Sequence, residues 1–362
     1  MRALLFFLAA GVVGCGALGP PRLDGGNGGG SGSLFTGGGG GFPTGGGGGA
    51  VIGGGSGGAV GGGGGGGATE APWIEVALQV PAGTLGTVQR LAARPGEIYA
   101  LVASKYVLRS AGGRFNEVLV FNDPILGDFQ FSGSGAAAVT VYQRILACTG
   151  SCQGGTGFVD LGLPATPIAV CGSADSLGVM TYASDAGARL FEQNGAQWNF
   201  VSNLNVRSPL DCARTTRGDI FVAGQGAVGN VNATMATLEV PDTSALGRVS
   251  ANEPWTKVAT DGTWAFAASA RGAVARRPED GGWTVASALG GEIAALCVES
   301  AQEVWVVGTG VGLARFDGTR WLPAGLGPST LTSFDALALE SAHVYVGGHD
   351  AAGVARVFRR LR

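Results

Sequence analysis

The amino-acid sequence predicts an all-β protein, a seven-bladed β-propeller preceded by a signal peptide and a disordered Gly-rich linker. Three observations predict it. A short apolar segment recurs seven times at a nearly constant period, turn-forming dipeptides follow it at similar offsets, and the chain stops one strand short of a complete last repeat while a matching strand stands ahead of the first.

The recurring segment is Ile98-Tyr99-Ala100, Val139-Thr140-Val141, Gly178-Val179-Met180, Ile220-Phe221-Val222, Trp264-Ala265-Phe266, Val304-Trp305-Val306 and Val344-Tyr345-Val346. Successive copies begin 41, 39, 42, 44, 40 and 40 positions apart, the length of a four-stranded blade. Most copies are preceded by an apolar residue and a small one, as in Leu91-Ala92, Val170-Cys171, Val258-Ala259, Leu296-Cys297 and Leu337-Ala338, which suits an inner strand crowded by its neighbours. After each copy come a glycine or other small residue and a third strand such as Val274-Ala275-Arg276 or Leu313-Ala314-Arg315. Asn194-Gly195, Asp280-Gly281 and Asp317-Gly318 accept the positive φ angles of tight hairpins, and Phe115, Phe158, Trp198, Trp283 and Trp321 open the outermost strands.

Closure is read from the two ends. The last repeat ends at Arg362 just after its third strand, and Trp73-Ile74-Glu75-Val76 has the spacing of Trp198 to Val201. An N-terminal strand at 73–80 is therefore expected to complete the last blade and remove two exposed sheet edges. The propeller then occupies residues 73–362.

Ahead of it, Met1 and Arg2 form a basic n-region, and Ala3 to Val13 are an apolar run too short to cross a bilayer. Val12-Val13-Gly14-Cys15 resembles the lipobox of bacterial lipoproteins. That resemblance implies a leader at 1–14, lipidation at Cys15 and a membrane contact through the N-terminal lipid. Gly16, where an acidic residue would retain the protein at the inner membrane, implies an exported, lipid-anchored protein of the cell envelope, at the outer membrane. The alternative is an ordinary signal peptide cleaved near Gly16 and Ala17.

Residues 15–72 are mostly glycine and carry almost no apolar surface to offset the entropy of ordering. They read as a flexible tether with a reach on the order of 40 Å. No lysine precedes Lys105, so the glycine runs contain no phosphate-binding Gly-Lys-Ser/Thr. Only 14% of residues are charged, against about 25% in an ordinary domain, and the two signs nearly balance. Nucleic acid is not an expected partner.

The repeat Gly312-Leu313-Ala314-Arg315-Phe316-Asp317-Gly318-Thr319-Arg320-Trp321 resembles the blades of two-component-regulator-type bacterial propellers, a likeness that implies fold and not activity. The Trp-Asp ending of WD40 repeats is absent, only Gly347-Gly348 is kelch-like, and Asp317-Gly318 is one residue shorter than a sialidase Asp box.

No catalytic residue, cofactor or metal is assigned. His343 abuts a repeat strand and reads as packing or solvent-facing. His349 with Asp350 could form a base and its orienting carboxylate, but no serine or cysteine can be placed beside them from sequence. Cys148 and Cys152 flank a short turn and suit a local disulfide. Cys171, Cys212 and Cys297 share a register with small residues and read as small buried side chains. A Cys171 to Cys212 bridge between neighbouring inner strands is an option, against which stands a strand spacing expected to exceed disulfide reach. Gly224 to Gly229 spells a dinucleotide fingerprint but lies inside a repeat and reads as a hairpin. Arg109, Arg189, Arg276, Arg315 and Arg356 recur at one register, about 51° apart around a seven-fold ring, so they diverge and are expected to stack on aromatic faces.

The function expected from these features is a membrane-tethered extracytoplasmic binding or scaffold module whose ligand is a protein or a glycan. One alternative is a lyase or glycoside hydrolase using Asp128, Asp175, Asp211 or Asp335 in the channel. Another is a structural role in envelope assembly.

Overall fold

A computed structural model describes Cys15–Gly16 and residues 71–362, apart from 95–96, 112, 121–125, 132–136, 142–143, 149–157, 164, 173–176, 183–186, 195–196, 216, 233–234, 325–326 and 341. Cys15–Gly16 and the 71–362 portion belong to one compact unit. Among the described residues the strands form seven antiparallel sheets, six of four strands and one of five.

Each sheet is one repeat with its strands in chain order from the inside outward, except that sheet VII takes its outermost strand from ahead of the first repeat and sheet VI has Cys15–Gly16 added inside its first strand. The inner strands of sheets I to VII are Val88–Arg94, Leu126–Phe131, Pro167–Gly172, Arg207–Arg214, Trp255–Thr260, Ala295–Ser300 and Ala336–Glu340. The recurring apolar segment supplies the second strand, for example Glu97–Val102 in sheet I and His343–His349 in sheet VII. Each inner strand packs on the next, and that of sheet VII packs on that of sheet I, so the sheets close a ring.

The core is divided among the seams between sheets. Val88, Leu91, Ala336, Tyr345 and Val357 fill the seam from VII to I, and Ala213, Phe221, Trp255, Val258 and Ala267 fill the seam from IV to V. Alternation along the strands puts a row of apolar side chains on each face, so every sheet serves two seams. The small residue after the second strand has a steric cause. A Cβ on Gly308 would lie 1.8 Å from the Glu292 carbonyl oxygen, and one on Gly348 would lie 2.0 Å from that of Ser333, because the loop entering each sheet passes over this point.

The closing segment serves both sides of the last seam. Ile74–Val76 is the fourth strand of sheet VII, Ile74 opposite Arg359 and Val76 opposite Val357. The strand is shorter than 73–80. Beyond Val76 the chain turns to sheet I, where Phe115 N donates to Ala77 O and Gln79 N to Phe115 O, both at 2.8 Å. Trp73 lies under the Arg360 guanidinium, 4.8 Å from the ring centre to its carbon.

Val76 is 3% exposed, whereas Glu75 is half exposed and pairs with Arg356 at 2.8 Å. Val76→Asp is expected to cost about 3 kcal/mol, and Glu75→Gln less than about 0.5 kcal/mol, in urea unfolding. Equal small losses would show that this strand does not close the ring.

Candidate functional site

Functional chemistry in a ring of sheets is built where strands converge, so the inner strands come first. Five of them carry an irregularity near the start, and the residues just after it are Arg90, Asp128, Ala169, Asp211 and Lys257 in sheets I to V. Ala295 and Ala336 open the ladders of sheets VI and VII at the matching position. Four of seven equivalent positions are thus charged, two of each sign, and all four are at most 3% exposed.

The two carboxylates hold neighbouring sheets. Asp128 Oδ2 accepts the Val170 N–H of sheet III, and Asp211 Oδ2 accepts the Val258 N–H of sheet V, each at 2.9 Å. Outside sheet VI, an inner strand has no further strand on its axial side among the described residues, so such N–H groups need an acceptor from elsewhere, and a buried one without it costs about 1–3 kcal/mol. Arg90 Nε stands 3.6 Å from Asp128 Oδ1, which joins sheet I to sheet II. Burial pushes the Asp211 carboxyl up to about 7, with the Lys257 and Arg90 charges opposing the rise. Burial likewise brings Lys257 down to about 8, opposed first by Asp211.

A disulfide continues the series. Cys171 and Cys212 are bonded across sheets III and IV with a Cα separation of 5.2 Å. Both are buried, as expected, but they are bonded and not merely packed, and the strand spacing, expected to exceed disulfide reach, lies within it. Sheet IV departs from its ladder over a longer stretch, between Arg207 and Asp211, where Ser208 takes a φ of 46°, and this shift brings Cys212 opposite Cys171. Cys297 is also disulfide-bonded, not a packed thiol.

At the seam from VII to I a second polar cluster forms. Asp335 accepts the hydroxyl of Thr87, in the loop entering sheet I, and that of Ser333 at 2.6 Å. The same Ser333 oxygen lies 2.6 Å from His349 Nδ1 and accepts the His349 backbone N–H at 3.2 Å. Ser333 is the partner that could not be placed from sequence; it sits in the loop entering sheet VII, over the end of the second strand. The order of the groups is unlike that of an activated nucleophile. With the Ser333 proton given to Asp335, the histidine nitrogen must donate to the serine instead of removing its proton.

The His349–Asp350 couple does not form. Asp350 accepts the N–H groups of Ala352 and Val354 in its own turn and pairs with Arg356 at 3.0 Å. These bonds hold its carboxyl below the usual range, the Val354 N–H contributing most. His343 meets Glu340 at 3.2 Å across the tip of a hairpin. Asp175 and Cys152 lie outside the described residues, as does the side chain of Cys148. Gly226, at φ 79°, turns a hairpin between the strands Ile220–Gln225 and Ala227–Val231, so the fingerprint spelling opens no helix.

Two of the repeated arginines stack on aromatic rings, and Arg109 and Arg356 are held by carboxylates instead. Arg276 packs over Trp264 and, across the seam, Phe316, with its carbon 5.9 and 5.7 Å from the ring centres, and Arg315 packs over Trp305 at 5.5 Å. Arg109 pairs with Glu97, which also accepts the Tyr99 hydroxyl. A groove of about 260 Å³ lies between the closing segment and Val354–Arg356, lined by Glu75, Leu78, Pro81, Thr84 and Arg356. It is below the usual size of a small-molecule site.

One further strand lies in the axial space. Cys15–Gly16 pairs antiparallel with the inner strand of sheet VI, Cys15 opposite Cys297 and Gly16 opposite Leu296, and also packs against the inner strands of sheets IV and V.

Comparison with solved structures settles the fold. The domain is a β-propeller. It superimposes on YCF48 bound to D1 peptide with a TM-score of 0.58, 14% identity, and coverage of 80% of this chain and 97% of that one. The WD40 β-propeller domain of Doa1 gives 0.57 at 12% identity over 80% and 97%. The extracellular domain of the putative hybrid two component system BT4673 from B. thetaiotaomicron gives 0.56 at 12% identity, over 80% of this chain and 39% of that one. At these identities the likeness is one of fold. No family model matches the sequence, and no curated protein matches it.

Two predictions follow from the inner ring. Cys171→Ser removes a cross-link spanning 41 residues and should cost about 4 kcal/mol in urea unfolding; a change below about 1 kcal/mol would show that the bridge is idle. The Asp211 carboxyl holds its proton more tightly folded than unfolded, so its contribution is full below the usual 3.8 and is lost as pH rises to about 7. The Tm difference between the native chain and Asp211→Asn should therefore shift against the native chain between about pH 5 and about pH 7.5. A shift in its favour would contradict the assignment.

Proposed function

We propose that the chain is an exported, lipid-anchored binding propeller, acylated at Cys15 and displayed on the glycine-rich leash 15–72, whose inner rim holds an extended segment of a protein partner. One observation carries this reading. The inner edge of sheet VI already accepts a strand, that of Cys15–Gly16. Strand addition to a free edge is a general mode of peptide recognition, in which backbone bonds supply affinity and flanking pockets supply selectivity.

Two features favour binding over chemistry. The axial carboxylates Asp128 and Asp211 are turned to backbone N–H groups of adjacent sheets, and Asp335 is turned to the Thr87 and Ser333 hydroxyls. Among the solved propellers, the YCF48 structure holds a peptide and the BT4673 domain is extracellular, which agrees with a peptide-binding, exported reading. A peptide is favoured over a glycan because the exposed large apolar residues are mostly aliphatic, Leu85, Met235, Val240 and Val249 among them, and give a sugar ring little to stack on.

The test uses the acylated protein in bilayer discs with a displayed peptide library and a glycan array. Selected peptides should bind with a Kd on the order of micromolar and slow hydrogen exchange at Ala295–Ser300. Binding of glycans alone, protection confined to outer strands, or turnover of a substrate that Asp128→Asn abolishes would each overturn it.

A further inference from the structure

We propose that Cys297 is a capture site for Cys15, so that in a chain whose Cys15 is not acylated the two form a disulfide that pins the N-terminal segment in the axial space of the ring.

The ladder brings the two cysteines opposite one another. Directly opposed residues of an antiparallel pair project to the same face with Cα atoms about 4.5–5.5 Å apart, within the 4.4–6.8 Å that a disulfide spans. Cys297 is buried and disulfide-bonded.

The inner-ring pattern explains why its partner comes from outside the ring. Cys171 stands two residues past Ala169, and Cys297 stands two past Ala295, the matching position. Cys212, which Cys171 reaches, stands one past Asp211; in sheet VII that position, one past Ala336, is Leu337. The Cys297 sulfur lies 3.3 Å from the Leu337 carbonyl oxygen, where a second cysteine would be needed for a sheet-to-sheet bridge.

Sheet VI also has an edge that its neighbour leaves open. Asp211 supplies an acceptor to Val258 of sheet V, but the matching residue of sheet V is Lys257, an ammonium with no acceptor to offer Leu296. A strand can meet that edge where a side chain cannot. Gly16 opposite Leu296 brings no side chain to a space bordered by the inner strands of sheets IV and V, which carry Asp211 and Lys257.

The chemistry is a two-electron oxidation. Two thiols lose two protons and two electrons to form the S–S bond, and a disulfide of an envelope oxidoreductase or small-molecule carrier is reduced to two thiols. Acylation joins the same Cys15 sulfur to lipid as a thioether, so anchoring and capture exclude each other. Capture would close to a partner peptide the rim that the lipid-anchored form leaves open. The inference rests on export to an oxidising compartment, and its test does not depend on finding a ligand.

The mature chain, residues 15–362, is exported behind a leader without a lipobox, then unfolded without reduction, alkylated and mapped by mass spectrometry. A Cys15–Cys297 linked peptide and no alkylated thiol are expected. Cys15→Ser should leave one alkylated thiol per chain, at Cys297, with the Cys171–Cys212 link intact. Cys297→Ala puts at this position the residue that sheets I, V and VII carry in the register of Ala92, Ala259 and Ala338; it should fold with an unchanged circular dichroism spectrum and leave Cys15 alkylated. In lipid-anchored full-length protein, Cys297 should alkylate fully on unfolding. A free Cys297 in the unacylated native chain, or Cys297 linked to Cys148 or Cys152, overturns the proposal.

Discussion

The whole ring depends on how its inner strands satisfy the side that faces the axis. A strand in mid-sheet has partners on both sides, but the first strand of each sheet has one, and its axial N–H and C=O groups are shut away from water by neighbours arranged in a circle. The chain meets this with cross-sheet contacts of different chemistry. Carboxylates at Asp128 and Asp211 accept the backbone of the next sheet, Arg90 meets Asp128, and a disulfide joins Cys171 to Cys212. Asp335 ties the seam where the ring closes, and Cys15–Gly16 covers sheet VI. The apolar seams supply most of the driving force, while these contacts fix which strand lies beside which.

That constraint also explains the polar groups that look most like chemistry. A buried aspartate near a buried lysine, or a serine between a histidine and an aspartate, has the composition of an active site. In both clusters the donor and acceptor order is spent on joining sheets: Asp211 on Val258 N–H, and Asp335 on Thr87 and Ser333. Residue identity alone could not separate the two roles, because both need carboxylates in a crowded interior.

The fold was legible in the sequence because a propeller repeats its chemistry. The period, the Asp317-Gly318 turn, with Gly318 at φ 94°, and the strand at Trp73 to Val76 each leave a local signature, whereas Gly281 does not take the positive φ expected of Asp280-Gly281; the small residue after the second strand records the loop passing over Gly308 and Gly348. The site was less legible, because irregularities in the inner strands shift register without changing the period. Aligning repeats by spacing puts Cys171 and Cys212 at one register, whereas the ladder departure around Ser208 moves one past the other and lets them bond. Ser333 escaped for a related reason: sixteen residues separate it from His349, and only the crossing of a loop over the second strand joins them. A signal existed in the glycine at 348, whose lack of a side chain marks that crossing.

The proposed function rests on what one edge of the ring accepts. Outer edges and hairpins carry stacked arginines and ion pairs, the axial carboxylates are engaged, and the inner edge of sheet VI takes the strand Cys15–Gly16, the place where the proposal seats a partner segment once that strand is drawn away. The measurement that bears most directly on this account is native-state hydrogen exchange at Val170 and Val258, the two amides held by Asp128 and Asp211. If the carboxylates join the sheets, both amides exchange only through opening of the ring, and Asp128→Ala or Asp211→Ala accelerates its own amide by about 10-fold or more beyond the change in global stability. Fast exchange in the native chain, or no site-specific acceleration in the variants, would contradict the account and return both aspartates to the pool of groups available for chemistry.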